Sequence, residues 1–217
     1  MVYARVAEMA ELAAARANVY GLLAAVFQAE PSSSFLTRFK DPEILGVFEA
    51  LGLSLGDDFQ DLPSDRLREE LAIEFTKLFL GPGGHISPHE SIHLDRGSAK
   101  DADLWGQATV AVKRFMEGAG LAVDNDFSGM PDHICAELEF MRKLCEFEAA
   151  AWIREEEDTA LNCQQVQKRF VEEHLVQWIP NFCDKVMDMT RMPFFKEMAK
   201  VTKGFVAYEQ ENLTIDT

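Results

Sequence analysis

The sequence predicts an all-α fold on three grounds. Apolar residues recur at steps of three and four along nearly the whole chain, the period of one helix face. No segment alternates apolar with polar residues as a half-buried strand does. Gly, Pro, Ser and Asp punctuate the chain where such helices would begin and end. With 217 residues, 47% of them hydrophobic, and no linker of shifted composition, the chain is long enough to build one core. The expectation is a single all-helical domain over residues 1–217, in which a loop over residues 81–101 connects two helical halves.

Leu12, Val19, Leu23 and Val26 form the stripe of a first, Ala-rich helix that ends near Glu30-Pro31. Ser32-Ser33-Ser34 can cap a short second segment. Asp41 reads as an N-cap and Pro42 as the first helical residue of a helix carrying Ile44, Leu45, Phe48 and Leu51, stopped at Gly52. Pro63-Ser64-Asp65 opens the next helix, where Leu67, Leu71, Phe75 and Leu78 share a face that Phe79 widens. Gly81-Pro82-Gly83-Gly84 ends it, because Gly tolerates a left-handed exit and Pro cannot continue the hydrogen-bond ladder. A polar stretch with three histidines and a carboxylate runs on to Asp95, and a helix that stops so abruptly before a long polar loop points to a loop with a function.

Asp101 to Gly120 reads as a further helix with Leu104, Ala108, Ala111 and Phe115 inward. A turn-rich segment, Asp124 to Pro131, precedes a long helix beginning at Asp132, with Ile134, Leu138, Met141, Cys145 and Trp152 along one side and the solvated run Arg154 to Asp158 at its end. Val171, Leu175, Trp178, Phe182, Val186 and Met189 stripe the next helix, and Pro180 predicts a kink or break within it. Phe194, Met198, Val201, Phe205 and Tyr208 complete a last one.

Lys and Arg number 21 against 37 Asp and Glu, a net charge of −16. Such a surface repels nucleic acid, whose binding depends on basic patches. It attracts cationic partners, or simply keeps the protein dissolved. Cys135, Cys145, Cys163 and Cys183 form no CxxC pair and fall at apolar helical positions, as small buried hydrophobes do. Glu8, Glu11 and Arg16 interrupt the layout of a signal peptide, and no run of 18 apolar residues is present. The expectation is a cytoplasmic protein without stable membrane insertion.

His85, His89 and His93 are spaced by four, which on a helix would align three imidazoles for a metal. Gly83, Gly84 and Pro88 argue that this stretch is not helical, so solvated or hydrogen-bonded loop histidines are the plainer reading. Glu90-Ser-Ile-His93 is a Glu-x-x-His motif of the di-iron type, but the second such motif is missing. In Pro131-Asp132-His133, Asp132 reads as an N-cap; alternatively the pair offers a carboxylate–imidazole couple to a groove. No phosphate-binding GxxxxGK[ST], GxSxG, HExxH or CxxC is present. The chain therefore predicts no catalysis, no cofactor and no metal. The alternative is a metal-binding helical oxidoreductase built on His85, His89, Glu90 and His93.

The stretch Glu74-Phe75-Thr76-Lys77-Leu78-Phe79-Leu80-Gly81-Pro82, followed by Ser87-Pro88-His89-Glu90-Ser91-Ile92, resembles the signature of the TorD/DmsD/NarJ family, the cytoplasmic chaperones that mature molybdenum-containing redox enzymes. Pro131-Asp132-His133-Ile134 with Glu137, Leu138, Phe140 and Met141 is similar to that family's second block, and Glu173-His174-Leu175 with Trp178 and Phe182 to a third. The likeness departs at His89, where many members carry an aromatic residue. It implies a TorD-like helical bundle that binds the twin-arginine signal peptide or the catalytic subunit of a molybdoenzyme, and assists cofactor insertion, assembly and export. It nominates Phe75, Leu78, Phe79, Pro82, Pro88, His89, Glu90, Ser91, Pro131, Asp132 and His133 as peptide-binding. The physical requirement agrees: a signal peptide joins two arginines to an apolar segment, so its receptor needs carboxylates beside an apolar groove. Long connecting loops allow a monomer or a domain-swapped dimer.

Overall fold

The computed structural model describes residues 2–81, 84–94, 106–119 and 129–213. Helices follow one another as α1 (Val2–Gln28), α2 (Ser33–Phe39), α3 (Pro42–Ala50), α4 (Asp57–Asp61), α5 (Ser64–Phe75), the short α6 (Glu90–His93), α7 (Gln107–Gly118), α8 (Ile134–Ile153), α9 (Glu157–Phe170), α10 (Val176–Met189) and α11 (Pro193–Asn212). Two π-helical turns interrupt them, Thr76–Leu80 after α5 and Val171–Leu175 between α9 and α10. Among the described residues no strand is formed, and an isolated antiparallel bridge joins His89 to His133. The all-α expectation holds. Of the loop expected over 81–101, residues 82, 83 and 95–101 lie outside the described residues; so do Leu104 and the turn-rich segment up to Ser128.

Local chemistry sets the helix ends as the sequence suggested. Ser32 accepts from Phe35 N–H, and Asp41 accepts from Glu43 N–H with Pro42 in the first turn. Leu67, Leu71, Phe75, Leu78 and Phe79 are all buried. Phe75 and Phe79 meet Phe27, Phe182 and Phe195 in an aromatic cluster of mostly edge-on pairs with centroids 4.9 to 6.4 Å apart.

Several expected faces are rotated. In α1 Leu12 is 47% exposed while Leu23 and Val26 of the expected stripe are buried, and Ala13, Arg16, Ala17, Tyr20, Ala24 and Phe27 join them on the buried side. Leu51, just past the end of α3, is exposed; in α7 Ala111 is exposed while Val112 and Met116 are buried; Met189 and Tyr208 are also exposed. Each inward face includes small or polar residues that an apolar stripe overlooks, such as Thr202 and Glu209 in α11. Pro180 does not break α10, which runs through it to Met189. The irregularity falls just ahead, in the π turn ending at Leu175, so the ladder is already loosened before the proline.

By length and composition, Arg5–Gln28 in α1 could cross a membrane, which the sequence did not lead us to expect. Here it is a core helix. Its alanines let it lie close along α8, and at Gly21 an added Cβ would sit 2.8 Å from Arg142 Cδ. Arg16 enters the interior between α1, α8, α9 and α11. It donates to both carboxylate oxygens of Glu209, to Glu148 and to Gln167. Tyr20 also donates to Glu209, and Gln164, Gln167 and Trp152 to Glu148. Burial opposes the guanidinium charge, but hydrogen bonding to Glu209 and the surrounding negative groups raise its pKa above the usual value.

Breaking this network strands buried carboxylates, so Arg16→Ala is expected to lower unfolding free energy by about 3–5 kcal/mol. Arg16→Met combined with Glu148→Gln and Glu209→Gln, which removes the charges together, should recover most of that loss in urea unfolding.

Candidate functional site

The site begins where the π turn after α5 ends. Gly84 takes a positive φ of 97°, and Ile86 N–H bonds back to Leu78 O at 2.7 Å, seating buried Ile86 against the core. Pro88 favours extended backbone before it, and His89 stays extended at φ −123° and ψ 132°. This extended run pairs with the residues leading into α8: Glu90 N–H donates to Asp132 O, and Ile134 N–H to Pro88 O, both at 2.9 Å. The chain then turns helically through Glu90–His93. The two sequence blocks, some forty residues apart, are thereby side by side.

Asp132 is fully buried and does not cap α8. Its Oδ2 accepts from Ser91 N–H at 3.2 Å and from Thr109 Oγ1 at 3.1 Å, tying the loop and α7 to the start of α8. The cap is His133, whose Nδ1 accepts from Cys135 N–H at 3.1 Å. The reading of Asp132 as N-cap is therefore corrected: its backbone is engaged in the bridge and its carboxylate faces inward.

Two more carboxylates stand beside Asp132, Glu90 on the loop itself and Glu137 beneath it. Glu90, 2% exposed, is held by His174 Nδ1 at 3.0 and 3.2 Å. His174 sits in the π turn Val171–Leu175, which places consecutive buried pairs, Phe170 with Val171 and His174 with Leu175, on the inward side. Glu137, fully buried, accepts from Trp178 Nε1 at 2.9 Å. Burial and then the neighbouring Glu90 push the Glu137 carboxyl well above the ordinary carboxylate range. Among the described residues Asp132 Oδ1, Glu137 Oε1 and Ser91 Oγ have no hydrogen-bond partner.

Three of the histidines around this cluster, His89, His93 and His133, are held neutral. His89 and His133 rings meet edge to face with centroids 5.0 Å apart. Burial lowers both pKa values, that of His133 to about 4. His93 donates from Nε2 to Ser87 O at 2.6 Å, receives Lys185 Nζ at 3.4 Å, and lies against Trp178 and Phe182; burial lowers its pKa too. His85 is exposed. The four residues of the alternative metal reading thus diverge: His89 toward His133, Glu90 toward His174, His93 toward the Trp178 side, His85 toward solvent. Among the described residues no group of three or more potential ligands is placed to hold a metal ion.

Of the nominated residues, Phe75, Leu78 and Phe79 belong to the closed core, and Glu90, Ser91 and Asp132 are buried. Pro88, His89, Pro131 and His133 are half-buried at the bridge, and Pro82 lies outside the described residues. The acid is therefore under the loop and not on the rim of an open groove. Thr109, Glu137, His174 and Trp178 were not nominated. The available signal was a polar residue standing on an apolar face, Glu137 between Ile134 and Leu138 and His174 between Val171 and Trp178.

A family model described as the nitrate reductase delta subunit matches residues 48–184, a span containing every residue of this cluster. A TorD chaperone protein of Shewanella pealeana is 25% identical over 209 residues, covering 90% of this chain and 88% of its own. A TorD chaperone protein of Vibrio vulnificus is 26% identical over 213 residues, covering 91% and 94%. A solved structure described as a redox enzyme maturation protein from Archaeoglobus fulgidus matches with a TM-score of 0.50 over 88% of this chain and 93% of that one, at 18% identity, a likeness of fold.

The depressed His133 pKa has a defined pH consequence. The unfolded chain takes up that proton first, so this contribution to stability is present at neutral pH and lost as the pH falls from about 6.5 toward 4. His133→Asn keeps a capping oxygen and cannot titrate. Between pH 7 and pH 5 the wild type should lose about 2 kcal/mol more unfolding free energy than this variant, measured by urea midpoints.

Proposed function

Because the chain belongs to the TorD/NarJ family of redox enzyme maturation chaperones, matched by the nitrate reductase delta subunit model over most of its length, we propose that it binds the twin-arginine signal peptide of a molybdenum-containing oxidoreductase at the junction of the 84–94 loop and the start of α8. The protein is a chaperone and not an enzyme. The observation that carries the reading is the bridge between residues 88–90 and 132–134, which brings both family blocks to one place above three carboxylates.

Capture in this reading requires the loop to lift. With the loop down, Glu90 and Asp132 are shut away from any guanidinium. Once it rises, they can receive two arginines bidentately, while apolar side chains under the loop take the hydrophobic segment of the peptide. The half-buried His89 and Pro88 form the movable rim. The acidic surface steers the cationic peptide inward and makes its arrival sensitive to salt. Binding takes place in the cytoplasm, before the client is loaded with cofactor and exported, and the chain works there as a single all-helical domain.

The test is calorimetric titration of the full chain with a synthetic peptide carrying a twin-arginine motif and its apolar segment. Binding is expected to weaken at least tenfold in Glu90→Gln, and to fall as salt rises; the same peptide with both arginines replaced by glutamine should not bind. Unchanged affinity in Glu90→Gln and Asp132→Asn places the site elsewhere. Absence of binding to any such peptide, and to the catalytic subunit from which it comes, rejects the reading.

A further inference from the structure

We propose that Glu137 carries a proton while the 84–94 loop is down and gives it to solvent when the loop lifts, so that opening of the site is coupled to release of one proton. The geometry carries this. Glu137 is fully buried, with Trp178 Nε1 on Oε2 and, among the described residues, no donor on Oε1. Facing it are Glu90 from α6 and Asp132 from the start of its own helix; behind these stand His174 from the π turn, on Glu90, and Thr109 from α7, on Asp132. Three carboxyl groups thus share one enclosed space, with His174 bonded to Glu90 and the His89 and His133 rings near Asp132, and they cannot all be charged in so dry a place. A carboxylic acid at Glu137 supplies its own O–H donor, with the Glu90 carboxylate as the neighbouring acceptor.

Lifting the loop removes Glu90 and admits water. The proton then passes to solvent base and Glu137 is left as a carboxylate, its ordinary state above about pH 4.5. The sign follows. A carboxyl raised in the closed state favours closure fully below its ordinary value and progressively less as the pH rises toward the raised one. The neutral histidines His89, His93 and His133 act oppositely: opening lets them take up protons below about pH 6.5. Lys185 on His93 adds to the cost of charging that ring while closed. Acid and alkali consequently loosen the loop through different residues. The link to a client rests on the function proposed above. There, the same step turns a neutral lining into a third carboxylate as the arginines enter.

The experiment needs no client. Hydrogen-exchange protection of the Glu90 and Ile134 amides, the two donors of the bridge, is measured in the full chain above pH 7. Protection is expected to fall as the pH rises in the wild type, by no more than the tenfold per pH unit of one proton, and to stay level in Glu137→Gln, which keeps an acceptor for Trp178. Infrared spectra of the wild type at neutral pH should show a protonated carboxyl C=O stretch that Glu137→Gln lacks. Equal slopes in the two proteins, or no such band in the wild type, overturn the inference whether or not a peptide binds. A failure of peptide binding with both signals present rejects only the function.

Discussion

The buried carboxylate of Asp132 is the constraint on which the site depends. One oxygen accepts from the loop at Ser91 and from α7 at Thr109, while the residue's backbone pairs with Glu90 and its chain neighbour caps α8. A charge so enclosed is tolerated only where donors converge on it, so the loop, α7 and the start of α8 are obliged to meet there. Removing the side chain would leave those donors unpaired and the loop without its anchor.

The protein contains a second buried polar cluster, and the contrast is instructive. Around Arg16, a guanidinium faces two carboxylates, and amide, indole and phenol groups saturate what remains. That arrangement closes on itself and specifies how α1, α8, α9 and α11 pack. Under the loop, three carboxyl groups crowd together with His174 bonded to Glu90, and among the described residues one oxygen each of Asp132 and Glu137 is left without a donor. A saturated cluster fixes a packing; an incompletely satisfied one leaves free energy that a cation or a bound proton can recover.

In the function proposed above, this difference bears on how a small helical chaperone would be closed when empty and still receptive to arginine. An open acidic groove would bind many cationic segments. A covered one admits only a ligand whose gain on binding exceeds the loop's own hydrogen bonds, among them the His89–His133 bridge. The free cysteines take no part in this: Cys135, Cys145 and Cys183 are buried, with thiol pKa values pushed up by burial, and behave as packing residues.

Much of the architecture was legible from residue order alone, because helix periodicity, caps and Gly/Pro stops are local. The face Leu67, Leu71, Phe75, Leu78, the Asp41-Pro42 helix start and the break at Gly81 all stand as read. Helix faces that mix small and polar residues were misplaced, since Arg16, Thr202 and Glu209 are inward only because partners from other helices meet them. The joining of residues 88–91 to 131–134, the demotion of Asp132 from cap to buried anchor and the pairing of Glu90 with His174 were decided by tertiary structure. Their cause is long-range: a buried charge has no favourable place until distant donors are brought around it, and no period or spacing in the chain encodes where those donors will be.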